Sequence, residues 1–446
     1  MVFAVSTGRI DITPTAGYPM AGYGVDSPRL ATGTNHPLYA RCTILWEDAV
    51  PHVVVTVDVL GFRRDTHQQI RTAVTTTLSI PTEDFVLTAT HTHNGPVLVE
   101  GLDPFIAYDL ENLTSVTTYT SWLAATITTL VAQTKAAPST PCTLDYFVLD
   151  ENFSFNREGL AYVERDVPCL VARAADGTPR AVLFGYGAHP VAAGGQTQFD
   201  PDYPGPAIDV IEAEWDGCFA QFLTGPAGDQ NPTATGTFDD VDTFGNDLGA
   251  TVVNAIGDPG RELTGPVTAA YGEVSLPLDV TLDPANIAAV RAEYLARSTN
   301  VAVIGYERRH ALRMTQLIDT TPIANLEVEV PLPVQRWTIG GDAPLVLLFS
   351  GGEVVSGFAV AIRGENGGSD GVWFLAYSNE IPGYIPSDEL LKTATYAGGY
   401  DPDYPGIAAE SMAVYDHWAH FLRGSPAKDG VEQVYLAYLR QVMEDA

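Results

Sequence analysis

Apolar runs with little polar alternation recur through the first 270 residues, and helical patterns separate several of them. Strands covered on both faces have this composition, and their alternation with helices favours a partly parallel sheet. We therefore predict an α/β fold of mixed, partly parallel sheets flanked by helices. The strand candidates are residues 38–46, 52–60, 84–90, 144–149, 168–174, 180–187 and 219–224, and the helix candidates are residues 64–78, 117–135, 205–214 and 244–256.

The pattern changes beyond about residue 265. No linker-like stretch separates the two halves, and only a soft boundary falls near residues 258–266. We predict one domain over residues 1–446, with two domains meeting at that boundary as the alternative. The strand candidates of the second half are residues 267–279, 324–332, 345–350, 356–363 and 372–377, and its helix candidates are residues 283–297, 407–422 and 430–443.

The charge of the chain restricts its partners. Its 446 residues are 46% hydrophobic and 17% charged, which is enough apolar material for a large core, and the formal net charge is −32. A charge of that sign and size argues against nucleic acid and against stable association with an anionic membrane. A small-molecule substrate is the remaining class of partner, and no pattern predicts an oligomeric state.

The cysteines and the N-terminus indicate a compartment. Four widely spaced cysteines with no C-x-x-C pair predict buried free thiols and favour the cytosol. No segment reaches the roughly 18–20 apolar residues of a membrane span. The first residues lack a basic region and a cleavage site, so we expect a cytoplasmic protein; secretion after removal of a signal peptide is the alternative.

Two histidines follow an apolar run at a Gly-Pro turn. His91 and His93 come after residues 85–87 and just before residues 95–96. In an extended segment, side chains two residues apart point the same way, so both imidazoles can face one pocket. Neutral imidazole is the commonest protein metal ligand, and the pair suits zinc. A histidine pair with a purely structural role at a strand end is the alternative.

Three further polar residues occupy similar positions. His189 ends an apolar run and enters a Gly/Pro-rich loop, and Glu353 follows an apolar run and two glycines. Tyr384 lies in a Pro-Gly-Tyr sequence. A carboxylate at such a position is unfavourable to bury unless something pairs with it. Each residue alone is more often structural, but together they predict one polar site built at strand ends.

A series of short segments, in order over nearly the whole chain, carries a family resemblance. They are GRIDIT at residues 8–13, AGY at 21–23, PLYAR at 37–41, ATHTHNGP at 89–96, NR at 156–157, GDQNP at 228–232, GE at 352–353 and GY at 383–384. With these segments the chain resembles the neutral/alkaline (non-lysosomal) ceramidase family, in its N-terminal catalytic domain only. The ordered set is far more specific than any one motif.

The resemblance implies a mononuclear zinc site and a set of residues around the substrate. His93 and Arg157 match groups that lie at the substrate carbonyl in that family. Spacing favours Tyr396 as a second active-site tyrosine, and Tyr400 is the alternative. The implied zinc ligands are His91, His189, Glu353 and Tyr384, and the candidates for substrate binding are His36, Asp202, Asp229 and Asn231, with a structural turn as the alternative for His36.

The implied site is chemically consistent. Zinc held by two imidazoles and a carboxylate keeps a position for water and lowers its pKa to about 7, which suits attack on an amide carbonyl. His93, Arg157 or a tyrosine hydroxyl can stabilise the resulting oxyanion. Tyr384 is an unusual ligand, because a phenol with a pKa of about 10 must lose its proton or bind weakly.

Two departures from the family bear on mechanism and substrate. Asn231 stands where the family has a serine, and asparagine cannot act as a nucleophile, so a serine-acyl mechanism at this position is excluded. We expect the family's C-terminal β-sandwich domain to be absent. Because an acidic surface is also repelled by anionic lipid, we expect a soluble substrate rather than ceramide.

These features together predict a zinc-dependent hydrolase that cleaves a linear amide or ester bond of a soluble, non-ceramide small molecule. One alternative keeps the fold and the metal but acts on a carbohydrate, as a glycoside hydrolase or lyase. The other alternative is a non-catalytic ligand-binding relative.

Overall fold

The computed structural model describes residues 3–23, 29–99, 113–303, 305–392, 417–418, 423–424 and 429–444. The strands are β1 Phe3–Asp11, β2 Gly33–Thr34, β3 Tyr39–Glu47, β4 Val50–Val57, β5 Phe85–Ala89, β6 Thr140–Asp150, β7 Ser154–Asn156, β8 Asp166–Arg173, β9 Pro179–Tyr186, β10 Gln198–Phe199, β11 Phe219–Thr224, β12 Gln230–Pro232, β13 Arg261–Leu263, β14 Val267–Pro277, β15 Glu329–Ile339, β16 Leu345–Ser350, β17 Glu353–Val354, β18 Val372–Leu375 and β19 Tyr384–Ile385. The helices are α1 Arg64–Leu78, α2 Thr114–Ala136, α3 Pro204–Glu214, α4 Phe238–Ile256, α5 Pro284–Thr299, α6 Gly305–Thr320, α7 Ser356–Glu365, α8 Asp388–Lys392 and α9 Val431–Glu444.

A nine-stranded mixed sheet contains most strands of the first half. Its order is β11-β9-β8-β6-β1-β3-β4-β5, with β13 paired to β6. The pairs β4–β5 and β9–β11 are parallel, and the other pairs are antiparallel. The sheet curls, because β11 at one end bonds to β4 and β5 at the other: the Thr56 hydroxyl donates to the Phe222 carbonyl oxygen (3.0 Å), and the Thr224 hydroxyl donates to the Ala89 carbonyl oxygen (2.9 Å).

A four-stranded sheet of order β14-β15-β16-β18 forms most of the second half. Only its β16–β18 pair is parallel, so these two strands end at the same edge. The chain after β18 joins the first sheet, because the Ala376 amide donates to the Thr224 carbonyl oxygen and the Ala89 amide donates to the Tyr377 carbonyl oxygen, both at 3.1 Å. The ends of β5, β9, β11, β16 and β18 therefore meet in one region.

These sheets confirm the predicted mixed, partly parallel α/β fold. Both faces are covered as their composition indicates, since β4, β5, β9 and β16 are buried along nearly their whole length. All four cysteines are free, and only Cys142 is partly exposed. No helix in the described ranges is both long enough and apolar enough to cross a membrane. The single-domain assignment stays a prediction.

Strand β1 in the first half was not predicted, and the other main errors in the predicted elements fall in the second half. Residues 356–363, predicted as a strand, form helix α7. The run at 358–362 is continuously apolar, and such a run cannot be assigned by periodicity. The helix buries Phe358, Ala359 and Ile362 and leaves Val360 46% exposed. The predicted strand at 324–332 lies at Glu329–Ile339 instead, helix α6 was not predicted, and the predicted helix at 407–422 lies outside the described residues except for 417–418.

Candidate functional site

His91 lies just beyond the end of β5 and is anchored through its backbone and its ring. It is 1% exposed, and its φ of 67° is in the left-handed region, which turns the side chain away from the strand direction. Its Nδ1 atom lies 2.6 Å from the Leu60 carbonyl oxygen and donates to it. The neutral ring then carries its lone pair on Nε2, the arrangement of a metal-binding histidine.

His189, three residues after β9, is held in the same way. Its Nδ1 atom donates to the Ala227 carbonyl oxygen at 2.7 Å, and the side chain is fully buried. Burial, with the nearby Arg157 charge, lowers the pKa of His189 to about 4, so its imidazole is neutral at physiological pH. Neutral imidazole is the form that binds a metal ion.

Glu353 completes a close cluster with these two rings. Its Oε2 atom lies 3.2 Å from His91 Nε2 and 3.3 Å from His189 Nε2, and the two Nε2 atoms are 3.2 Å apart. Ligand atoms about 2.0–2.1 Å from a tetrahedral zinc ion are about 3.3 Å from one another. Burial alone raises the pKa of Glu353, but the two histidines lower it well below its usual range. The donor set and its spacing fit a divalent metal ion.

His93 reaches the same cluster from the other side. Its Nε2 atom is 3.4 Å from His91 Nε2, and one ring nitrogen from each of the three histidines lies within 4.8 Å of the others, a group that could hold a metal ion. Gly22 permits this position, because a Cβ atom there would lie 2.6 Å from the His93 Cα atom. Unlike the other two rings, His93 has no hydrogen-bond partner for Nδ1 among the described residues. The absence of that anchor distinguishes His93 from His91 and His189.

Tyr384 faces Glu353 across a short parallel pairing of β17 with β19, in which these two residues are aligned. Arg157 Nη2 donates to the Tyr384 hydroxyl at 3.1 Å and to the Gly228 carbonyl oxygen at 2.8 Å. Burial raises the pKa of the phenol well above its usual value, although Arg157 acts in the opposite direction. Tyr384 is therefore a neutral hydroxyl unless a bound cation lowers its pKa.

Asp229 and Asn231 lie on the arginine side of the cluster. The Asp229 carboxylate accepts from the Ser356 amide (2.7 Å), the Ser356 hydroxyl (2.9 Å) and Asn156 Nδ2 (2.8 Å), so protein donors occupy it. It thereby joins Asn156, the residue before Arg157, to the start of α7. The Asn231 Oδ1 atom is 3.5 Å from Arg157 Nη1. Of these two residues, Asn231 is the one that faces the guanidinium.

The two remaining candidates act on the neighbouring loops. The Asp202 carboxylate accepts from the backbone amides of Ala192 and Ala193 at 3.1 and 2.9 Å and so fixes the loop that follows His189. His36 Nδ1 lies 3.0 Å from an Asp200 carboxylate oxygen, and the Asp200 carbonyl oxygen accepts from the Thr92 hydroxyl. Neither residue has a contact with the histidine cluster in the structure. Their predicted roles in substrate binding stay predictions.

Two residues beside the site were not predicted, and two predicted residues lie outside the described part. Tyr377 packs its ring on His91 at a centroid distance of 4.3 Å, and Glu158 lies beside Arg157. Tyr377 follows an apolar strand, as the predicted residues do, so that signal was present. Glu158 lies in an irregular loop without such a signal. Tyr396 and its alternative Tyr400 are outside the described residues.

Two solved structures share this architecture. The neutral ceramidase from Pseudomonas aeruginosa aligns with a TM-score of 0.72 and 17% identity, over 100% of this chain and 75% of the other. A ceramidase complexed with C2 aligns with a TM-score of 0.71 and 17% identity, over 99% and 76% of the two chains. No protein-family model and no curated protein sequence matches the chain. The structural likeness, which extends over the whole chain, shows that this protein has a neutral ceramidase-like fold.

Proposed function

We propose that this protein is a metal-dependent hydrolase that cleaves an amide bond of a small soluble molecule. The observation that carries the proposal is the cluster of His91, His189 and Glu353, whose three donor atoms are 3.2–3.3 Å apart. Both Nδ1 atoms are tied to backbone carbonyl oxygens, which leaves both Nε2 lone pairs directed at one point. We infer that zinc is the ion, with Tyr384 as the fourth ligand.

The bound zinc would supply Lewis acidity and a water of lowered pKa. The residues around it have separate roles in the proposal. Arg157 donates from a largely buried guanidinium next to Tyr384, a position suited to holding the substrate carbonyl and stabilising negative charge on its oxygen. The His93 ring is not fixed by a backbone carbonyl oxygen. We therefore propose that His93 contacts the substrate carbonyl and transfers protons there, and that it does not bind the metal.

The residues of the site and the charge of the chain together indicate the substrate class. A net charge of −32 disfavours contact with anionic lipid surfaces, so the proposal is a soluble amide, with an ester as a second bond type, rather than ceramide in a membrane. Asn231 excludes a serine nucleophile at its position, so hydrolysis proceeds by direct attack of water.

The test is metal content and turnover measured on the same preparations. We expect about one zinc ion per chain in the wild type, no metal in His91→Ala, and amide hydrolysis only where zinc is present. His310→Asn is the matched control, because His310 is buried in α6 against the Tyr294 ring and lies outside the cluster. A panel of amides, esters and glycosides identifies the bond. A wild type that binds no zinc after incubation with the ion would refute the proposal.

A further inference from the structure

Glu158 is a buried acid with an unusual environment. Its side chain is 1% exposed, and neither carboxylate oxygen accepts a hydrogen bond from any described residue. The nearest cation is its neighbour in sequence, since Glu158 Oε1 lies 3.5 Å from Arg157 Nε. That nitrogen is also buried and has no hydrogen-bond partner among the residues described. A donor and an acceptor that both need a partner thus face each other slightly beyond hydrogen-bond distance.

Other buried acids of the chain differ from Glu158. Glu164 accepts two hydrogen bonds from Arg363 Nη1, at 3.0 and 2.7 Å, and Asp145 accepts from Arg173 Nε at 2.5 Å. Burying a carboxylate without such donors is destabilising by several kcal/mol in order of magnitude. Glu158 is therefore poorly placed as a purely structural residue.

The other edge of Arg157 shows what the pair can do. Its Nη atoms contact the Tyr384 hydroxyl, the Gly228 carbonyl oxygen and Asn231, while Nε alone faces Glu158. A guanidinium is planar and rigid, so a contact at Nε sets the direction in which both Nη groups point. A shift of about 0.6 Å closes the Nε–Glu158 gap to an ordinary hydrogen-bond distance of about 2.9 Å.

We propose that Glu158 is the positioning residue of Arg157: it holds the Nε edge of the guanidinium and thereby aims the Nη edge at Tyr384 and the substrate carbonyl. This role rests on the proposed function, in which Arg157 stabilises charge on that carbonyl. Glu158 acts through Arg157 and makes no contact with the reacting atoms.

The charges near Glu158 support a role that depends on its ionisation. Burial raises the pKa of Glu158 to about 7, against the opposing effect of Arg157 and with a further increase from Asp229. These two are the charged groups that act on it in the structure. With this pKa, Glu158 is charged and can pair with Arg157 above about pH 7, and it is neutral below that pH. Catalysis that needs the pair therefore increases as the pH increases through 7.

The first measurement tests the pairing without relying on activity. Thermal unfolding is followed for Glu158→Gln, Arg157→Gln and the double variant. We expect Arg157→Gln to lower Tm, because it leaves Glu158 buried without a cation, and the second substitution to restore most of the loss. Glu164→Gln and Arg363→Gln form the matched control cycle, since that pair is hydrogen-bonded and buried. Strictly additive Tm changes at Arg157 and Glu158 would overturn the pairing.

The second measurement tests the role, on the zinc-loaded enzyme and an amide that the wild type hydrolyses. We expect Glu158→Ala to lower kcat about 10-fold to 100-fold with little change in KM and in zinc content. Glu158→Gln keeps an acceptor for Nε and should recover part of kcat, and the dependence on pH near 7 should become shallower in it, because only the limb of the zinc-bound water would remain. An unchanged kcat and pH profile, with the pairing established, would overturn the positioning role.

The two measurements also separate this inference from the proposed function. If the wild type binds zinc but hydrolyses no amide, the proposed reaction fails, while the unfolding cycle still decides whether Glu158 holds Arg157. If amides are hydrolysed and the cycle is additive, the proposed function stands and this inference fails.

Discussion

Tyr384 lies between two regions of the site that are held in different ways. The metal side is formed by the proposed ligands His91, His189 and Glu353, and the arginine side is formed by Arg157 and its neighbours. On the metal side, backbone carbonyl oxygens anchor the Nδ1 atoms of His91 and His189 at 2.6 and 2.7 Å. Glu353 lies 3.2 and 3.3 Å from their Nε2 atoms. These anchors belong to the backbone around well-buried strands, so the geometry of the metal side is established by folding itself.

On the arginine side, Gly228 and Tyr384 accept ordinary hydrogen bonds from Arg157 Nη2 at 2.8 and 3.1 Å, but the contacts at Nη1 and Nε are longer. Arg157 faces Asn231 and Glu158 at 3.5 Å each, and the residues come from loops and short strands rather than from the large sheet. Such contacts can tighten when a substrate arrives, because side chains alone must move. In the proposed function, a preformed site for an ion would thus adjoin an adjustable site for a carbonyl group.

The largest expected effect is at the centre of the metal side. Glu353→Gln keeps the shape of the side chain but removes its negative charge, and we expect loss of both zinc and activity, because two neutral imidazoles alone bind the ion weakly. Elemental analysis and turnover of one preparation measure both. Glu164→Gln, a buried acid outside the cluster, should retain zinc. A zinc-loaded, active Glu353→Gln protein would show that the two sides are not divided as described.

A second effect should separate the two sides. Arg157→Lys keeps a positive charge but not the planar fork that reaches Tyr384 and Gly228. We expect kcat to decrease by about 100-fold to 1,000-fold, as for loss of one donor to a developing oxyanion, with the zinc content unchanged. Arg165→Lys, whose parent residue forms an exposed pair with Asp150, is the control. Loss of zinc in the Arg157 variant would mean that the arginine belongs to the metal side.

The sequence predicts the metal side better than the arginine side, for a physical reason. His91, His189 and Glu353 each follow an apolar strand, and a buried strand is visible in composition alone. The ends of those strands must meet wherever the sheets join, so their polar residues converge. The spacing of the strands along the sequence did not predict that the first sheet curls and brings β11 onto β5.

Glu158 and α7 show what the sequence could not supply. Glu158 is buried by tertiary contacts of an irregular loop, and no local pattern of hydrophobicity marks such burial. The run at residues 358–362 is apolar throughout, so the neighbours it packs against decided between strand and helix. Asp202 was predicted from its place in a family motif, whereas its contacts with the amides of Ala192 and Ala193 required coordinates.

A smaller effect is expected at the position where the family has a serine. Asn231→Ser shortens the side chain that faces Arg157 Nη1 at 3.5 Å. If water attacks directly, the added hydroxyl gives no covalent intermediate, and kcat should change by less than about tenfold. Rapid-mixing kinetics with a chromogenic ester check this, since an acyl-enzyme would appear as a burst. A burst in the serine variant alone would show that the arginine side retains the geometry for nucleophilic catalysis.

The smallest effect is expected in the dependence of folding stability on pH, which compares the buried acids Glu158 and Glu353 directly. The pKa of Glu158 is raised to about 7 in the folded protein, from an ordinary value of 4.5 in the unfolded chain. Because this pKa is higher in the folded state, protonated Glu158 contributes to the stability of the folded protein. That contribution is complete below pH 4.5 and is lost as the pH increases to about 7. Glu158→Gln does not ionise, so its stability relative to the wild type should increase over that window, by about 1–2 kcal/mol after allowance for solvent screening.

Urea unfolding at a series of pH values between these limits measures that difference. At Glu353 the sign is opposite and the window lies below pH 4.5, because the neighbouring histidines, against the effect of burial, lower the pKa of that acid well below its ordinary 4.5. Glu353→Gln should therefore lose stability relative to the wild type as the pH increases toward 4.5, and the series for this variant is extended below that value. Because bound zinc would contribute its own stabilisation, both series are run on metal-free protein. If the stabilities of the two variants changed with pH in the same direction, Glu353, whose charge its neighbours stabilise, and Glu158, whose charge lacks such partners, would not differ. The division of the site into two sides would then be wrong.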